Sequence, residues 1–322
     1  MGTRNTRRFR SLPRTFEGEI MRIVLTHTGS AVPDYTDITI RQMQFSNPGI
    51  PIDFIAEEEH GEAFKKRFNL SINIIPSEGL KEDLLLRSFH QHSWFKAWGK
   101  PETVYPSPEN FVQGTSERLF LLSAYINNNN LHDVWHFEND NLIYGNIGHT
   151  TIQLRLDKLR NNDRIIICNM GPQYVVFNCV YIPKPEMLLS AMAWYLKQLM
   201  LGNEALSKKF NLPMAHEMTV MKHHADAFYF WPSIPNYDVY NGTLFDPAGY
   251  GQFKGGTNNG HPPGFRDTEN HDIGMQHTKF WTGVLFDGEP ASPKVLDIYG
   301  NPYPLFNLHM HNKTRIKEFA NV

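Results

Sequence analysis

Hydrophobic residues in the first half of this chain come in short unbroken runs, most of them followed by a cluster of glycine, proline, asparagine or serine. Arg22-Ile23-Val24-Leu25-Thr26 reads as a buried strand closed by Thr28-Gly29-Ser30. A helix over 37–45 follows, stopped by Asn47-Pro48-Gly49, and further strands are predicted over 52–56 and 72–75. Leu119, Leu122 and Ile126 share one face of a helix predicted over 116–126, with Ser116 placed to cap its start. Val134-Trp135-His136-Phe137 is the next strand, followed by strands over 164–168 and 174–177 and a proline-opened helix over 186–200. Strands alternating with helices predict an α/β fold: a mainly parallel sheet with helices on its faces. Ligands of such sheets bind beyond the carboxyl ends of the strands, which puts the loop Thr26-His27-Thr28-Gly29 at the ligand edge. After residue 200 the pattern loosens, and glycine, proline, histidine and aromatics increase.

The strand over 134–137 runs into Glu138-Asn139-Asp140 before apolar residues resume. In an extended segment residues i and i+2 share a side, so Glu138 and Asp140 can converge on one point. Two carboxylates held together repel each other unless a proton or a cation relieves them. A divalent metal with oxygen ligands does so, and such a metal typically also carries phosphate oxygens. His223 and His224, by contrast, are adjacent and point in different directions, so they do not form a metal pair.

Several blocks together carry a resemblance. His136-Phe137-Glu138-Asn139-Asp140 follows a Ser116-Glu117-Arg118 helix and precedes Leu142-Ile143-Tyr144. Further on come Leu244-Phe245-Asp246-Pro247-Ala248-Gly249-Tyr250-Gly251-Gln252-Phe253-Lys254-Gly255-Gly256 and Leu308-His309-Met310-His311-Asn312-Lys313. In this order the blocks resemble nucleotide-sugar-dependent glycosyltransferases of the GT-A fold, a Rossmann-like mixed sheet with a less regular C-terminal acceptor and lid region. Glu138 stands where the usual acidic motif has Asp. The resemblance implies transfer of a hexosyl or pentosyl group from a UDP- or GDP-linked sugar to a glycan or other hydroxyl acceptor. It implies Asp140, Glu138, His311 and, as second choice, His309 around Mn²⁺ or Mg²⁺. A nitrogen ligand beside oxygens tilts the preference towards Mn²⁺. It implies Lys313 on the diphosphate, Arg118 on the donor, and Thr26 and His27 on the nucleoside. Gly249, Gly251, Gly255 and Gly256 would let the backbone approach a ligand, with Asp246 and Gln252 offering polar groups to sugar hydroxyls. Inverting transfer also needs a carboxylate base near the acceptor hydroxyl, and Glu269, then Asp267, are the candidates.

Composition narrows the alternatives. The chain has 322 residues, 41% hydrophobic and 20% charged, enough for a large core. A formal charge of -2 argues against a general nucleic-acid binder. Its two cysteines, Cys168 and Cys179, make neither a disulfide framework nor a metal spacing and read as reduced core residues. No signal segment or membrane-length apolar run is visible, so the expected compartment is cytoplasmic. Arg4, Arg7, Arg8, Arg10 and Arg14 make residues 1–19 a basic, disordered arm. Met1-Gly2-Thr3-Arg4-Asn5-Thr6 matches an N-myristoylation pattern; an acyl chain plus the basic cluster would be the two signals that stable membrane attachment needs, and the basic tail by itself would allow weak association with a membrane surface. Residues 20–322 are expected to form one catalytic domain, with a nucleotide-binding half over 20–145 and an acceptor half over 146–322. Two other readings stay open: a metal-dependent hydrolase using the same cluster, and an inactive carbohydrate-binding protein of the same fold.

Overall fold

A computed structural model of the chain describes residues 21–29, 31–92, 111–149, 152–153, 156, 164–171, 174–212, 216–235, 242–257, 262–264, 280–288 and 290–322. The basic arm over 1–19, Glu269 and Asp267 lie outside the described residues.

The first elements are β1 (Arg22–Thr26), α1 (Tyr35–Ser46), β2 (Ile52–Ala56), α2 (Glu58–Phe68) and β3 (Asn73–Pro76). Then come α3 (Ser77–Leu80), α4 (Leu84–Gln91), α5 (Phe111–Asn128), β4 (Val134–Phe137), β5 (Asn141–Ile143), β6 (Ile165–Asn169) and β7 (Val175–Ile182). The described part continues with α6 (Pro185–Leu199), α7 (Asn203–Phe210), α8 (Glu217–Lys222), β8 (Phe228–Phe230) and α9 (Gly249–Gly255). It ends with β9 (Trp281–Asp287), β10 (Ser292–Asp297), β11 (Pro302–Pro304), β12 (Asn307–His309) and a 3₁₀ helix (Lys313–Phe319).

The central sheet has seven strands in the order β3-β2-β1-β4-β7-β6-β8. The pairs β3·β2, β2·β1, β1·β4 and β6·β8 are parallel, while β7 runs antiparallel to both neighbours. This is the mixed, mainly parallel α/β sheet that the apolar runs predict, and it spans both halves of the chain. Strands buried on both faces read as unbroken apolar runs. Ile23, Leu25, Trp135 and Phe137 face one core cluster; Val24 and Val134 face the other, against α5 and α6. A smaller cluster joins α9 to β9, β10 and β12.

Two elements differ from expectation in ways that matter. Helix α5 starts at Phe111, five residues before Ser116, so Ser116 is not a cap. It is buried mid-helix with its Oγ 3.0 Å from the Tyr195 hydroxyl. One glycine, Gly114, costs a helix only about 1 kcal/mol, which packing downstream absorbs. Strand β7 runs on past Phe177 through Asn178, a polar residue that the site uses. His223 and His224 stack on Phe210 and Trp194, ring centroids 4.4 Å apart in both pairs, and take no part in the site. Among the described residues no helix is long and apolar enough to cross a membrane.

Candidate functional site

Strands β1 and β4 end side by side, Leu25 opposite Phe137, at the edge where the sheet switches from parallel to antiparallel. Beyond Phe137 the chain turns at once. The Asn141 N–H donates to the Glu138 carbonyl at 3.1 Å, and β5 leaves in a new direction. Glu138 and Asp140 therefore meet through a tight turn rather than along an extended segment, because Asn139 and Asp140 favour turns. Strand β12 pairs antiparallel with β5, His309 opposite Asn141, and the Met310 N–H donates to the Asp140 carbonyl at 2.9 Å. That pairing carries His309 across some 170 residues of sequence to the acidic turn.

Ligand atoms of Glu138, Asp140 and His309 all lie within 4.8 Å of one another. His309 Nε2 is 3.0 Å from Glu138 Oε2 and 3.0 Å from Asp140 Oδ1. Arg118 Nη2 pairs with the other oxygen of Glu138, and Lys313 Nζ with the other oxygen of Asp140. The Lys313 ammonium also donates to the Met310 carbonyl at 2.7 Å. With two acids side by side, the nearest cation neutralises one. Burial raises the Glu138 carboxyl, but Arg118 and His309 outweigh it and hold the group well below the usual carboxylate range. Burial pushes the Lys313 ammonium down to about 8.

The residues fit a divalent ion. Two ligands at 2.0–2.2 Å from one ion are at most about 4.4 Å apart, close to the spread observed. The donor set is two carboxylates and an imidazole. The buried His309 Nδ1 has no hydrogen-bond partner among the described residues, so it can carry the proton when Nε2 gives its lone pair to a metal.

His311 was the first-choice histidine, and the structure places it differently. The chain bends after Met310, and the His311 ring lies against Gln252, whose Nε2 is 3.0 Å from His311 Nε2. His309 instead belongs to the three-residue cluster. Burial and His309 push the His311 ring down to about 3, keeping it neutral.

The Gly-rich segment packs against the chain that carries His309. Asp246 is fully buried, and its carboxylate accepts N–H bonds from Tyr250, Gly251 and His309, each at 2.9 Å. Both oxygens serve the backbone, so Asp246 fixes His309 rather than a sugar hydroxyl. A Cβ at Gly251 would lie 1.8 Å from the His309 carbonyl oxygen, and one at Gly255 2.5 Å from Met310 Cε. These glycines let the chain at His309 and Met310 pack closely. Gly256 has φ 81° and ends α9 in a turn that glycine favours. Where His309 sits, main-chain bonds to β5 and to the Asp246 carboxylate hold the C-terminal segment.

Three asparagines complete this support. Asn141 Nδ2 donates to Asn178 O at 2.6 Å, Asn178 Nδ2 to Asp246 O at 2.7 Å, and Asn307 Nδ2 to Asn141 Oδ1 at 2.9 Å. Beneath them Trp231, Phe245 and Phe306 stack at 4.3 and 4.6 Å and bind the loops before Asp246 and Asn307 into the core. Sequence reading missed Asn141, Asn178 and Asn307. Their one signal is a polar amide inside an apolar strand, which sequence alone cannot tell from a strand end.

On the other side of β4, Thr26 is buried at the end of β1, and the His27 ring stacks on Phe54 at 6.5 Å. Among the described residues, Thr26 Oγ1 and His27 Nε2 are buried without hydrogen-bond partners.

No family model and no curated protein sequence matches this chain. Among solved structures, it is similar to the galactosyltransferase LgtC in complex with donor and acceptor sugar analogues, at 11% identity and TM-score 0.43, covering 93% of this chain and 95% of that one. It is similar to the PaToxG glycosyltransferase, at 10% identity and TM-score 0.39, covering 63% of this chain and 66% of that one. A cytidylyltransferase from Leptospira borgpetersenii serovar Hardjo-bovis is also similar, at 10% identity and TM-score 0.35, covering 67% of this chain and 75% of that one. These likenesses are too distant to assign a family or an activity.

Proposed function

We propose that this protein is a divalent-metal-dependent glycosyltransferase that moves a hexosyl or pentosyl group from a UDP- or GDP-linked sugar to a hydroxyl of a glycan or similar acceptor. One observation carries the reading: Glu138, Asp140 and His309 converge within 4.8 Å at the ligand edge of an α/β sheet, flanked by Arg118 and Lys313. A metal-dependent hydrolase needs only the metal and a water; two cations flanking the carboxylate–imidazole centre suit a leaving group with several negative charges. A bound Mn²⁺, or Mg²⁺, would supply Lewis-acid stabilisation of the departing diphosphate. Arg118 and Lys313, released from the carboxylates, bind diphosphate oxygens and stabilise their developing charge. The Thr26–His27 loop offers its unpaired polar atoms to the nucleoside. In transfer the sugar C1–phosphate oxygen bond breaks and the acceptor oxygen bonds to C1. For inversion Glu269 or Asp267 takes the acceptor proton.

The test is a thermal-shift and calorimetric screen of UDP, GDP and their sugars with and without Mn²⁺, on the parent protein and Asp140→Asn. The parent is expected to gain stability with nucleotide only when Mn²⁺ is present, and Asp140→Asn to lose that gain. Metal-dependent stabilisation indifferent to every nucleotide would favour the hydrolase reading. Nucleotide-sugar binding without any turnover would favour an inactive binding protein.

A further inference from the structure

Glu217, the first residue of α8, is 3% exposed. A carboxylate can accept about four hydrogen bonds. Among the described residues Glu217 receives one, from the Thr115 hydroxyl at 3.2 Å. His216 Nδ1 is 3.8 Å away, beyond hydrogen-bond range. Burial lowers the pKa of that ring, against the pull of Glu217. Buried carboxylates normally fill more of their hydrogen-bonding capacity than this, and the spare capacity calls for an explanation.

Its location supplies one. Thr115 lies one helical turn before Arg118 on α5, and Arg118 Nε donates to the Thr115 carbonyl at 3.1 Å. Arg118 in turn pairs with Glu138. Glu217 is thus joined to the acidic turn through two residues of one helix. Neighbouring residues on α5 diverge by about 100°. A Cβ on Gly114 would point at Thr28 Oγ1, 3.0 Å away, in the β1 loop, whereas the Thr115 side chain reaches Glu217. The His216 ring also stacks on Tyr174, just before β7, at 6.0 Å. The ligand edge therefore runs from the β1 loop, across the β4 turn, to Glu217 beside β7.

On the glycosyltransferase reading, which this inference rests on, a nucleotide sugar laid along the edge has its nucleoside at the β1 loop and its diphosphate over Glu138 and Asp140. Its sugar then falls on the β7 side. We propose that Glu217 is a specificity-determining residue whose carboxylate accepts hydrogen bonds from hydroxyls of the donor's glycosyl group, steered by Thr115.

The proposal separates sugar from diphosphate, and so does its test. Affinities of UDP and UDP-glucose, and of GDP and GDP-mannose, are measured by calorimetry with Mn²⁺ on the full chain and on Glu217→Gln. For the pair that the parent binds, Glu217→Gln should weaken the nucleotide sugar about tenfold or more and leave the diphosphate within about twofold, as expected for a lost hydrogen bond to a charged group. Glu217→Asp, which keeps the charge but shortens the reach, should show the same selective loss, so the test survives if the amide variant folds poorly. Equal loss of both ligands, or no loss of the nucleotide sugar, would overturn the assignment of Glu217 alone. A parent that binds neither diphosphate with Mn²⁺ would instead overturn the glycosyltransferase reading itself.

Discussion

Each carboxylate of the acidic turn is shared between His309 and a flanking cation, and this sets the behaviour of single substitutions. Lys313 occupies the Asp140 oxygen opposite His309, so a metal that claims Asp140 competes with the ammonium. Lys313→Met should therefore tighten Mn²⁺ binding in the absence of nucleotide by several-fold, while weakening UDP or GDP in the presence of Mn²⁺. Calorimetric titration of the two ligands in both orders checks this. Mn²⁺ affinity that falls in Lys313→Met would mean the lysine supports the metal site instead of competing for it. At this scale the sequence was informative about acids and uninformative about partners. Glu138 and Asp140 stand out because two acids interrupt an apolar run. The choice between His309 and His311 depended on a bend after Met310 that no residue type announces. Asp246 and the asparagines look like ligand-binding groups or strand ends until their backbone partners are known.

Among the elements, β12 is the one that makes the site, and close packing against α9 fixes its position. Gly251→Ala would drive a Cβ to 1.8 Å from the His309 carbonyl oxygen and 2.6 Å from its carbonyl carbon, both backbone atoms. The strand must shift, at a cost of about 3 kcal/mol or more, and Mn²⁺ binding should fall with it. A Cβ placed on Gly79, in α3, would meet nothing within 4 Å, so Gly79→Ala should be neutral or stabilise by about 0.5–1 kcal/mol. Urea midpoints of the two variants, with a Mn²⁺ titration of each, make the comparison. If both behave alike, the α9–β12 contact is not what holds His309. The strands of the first half were legible because buried parallel strands must be continuously apolar, and β1, β2 and β4 match their predicted ranges. Strands β9 to β12 were not recognised. They are short or half-exposed, and β12 is a three-residue strand whose identity comes from its partner β5.

For the whole molecule, buried neutral imidazoles predict an acid-labile metal-free state. Burial and the Arg118 guanidinium push His136 down to about 4, and burial with His309 pushes His311 down to about 3. In the unfolded chain both return to about 6.5. Between those values the unfolded state binds protons that the folded state does not. Stability is therefore full above about pH 6.5 and lost as pH falls through about 4 for His136 and about 3 for His311. His136 alone should account for about 2 kcal/mol between pH 7 and pH 5, and His136→Gln should remove that share of the slope. Denaturant midpoints at the two pH values measure it; a His136→Gln protein with the parent's full slope would contradict it. Deleting residues 1–19, which lie outside the described residues, should leave nucleotide binding unchanged within about twofold.

The central claim is that one divalent ion sits among Glu138, Asp140 and His309. A crystal of the full chain grown with Mn²⁺ and UDP or GDP, with anomalous data collected at the manganese edge, addresses it most directly. The account predicts a single strong anomalous peak bonded to both carboxylates and to His309 Nε2 at about 2.0–2.3 Å. Diphosphate oxygens should complete the shell, and Lys313 should be turned from Asp140 onto the phosphates. A peak elsewhere in the molecule, or an empty acidic turn with Lys313 still paired to Asp140, would contradict it.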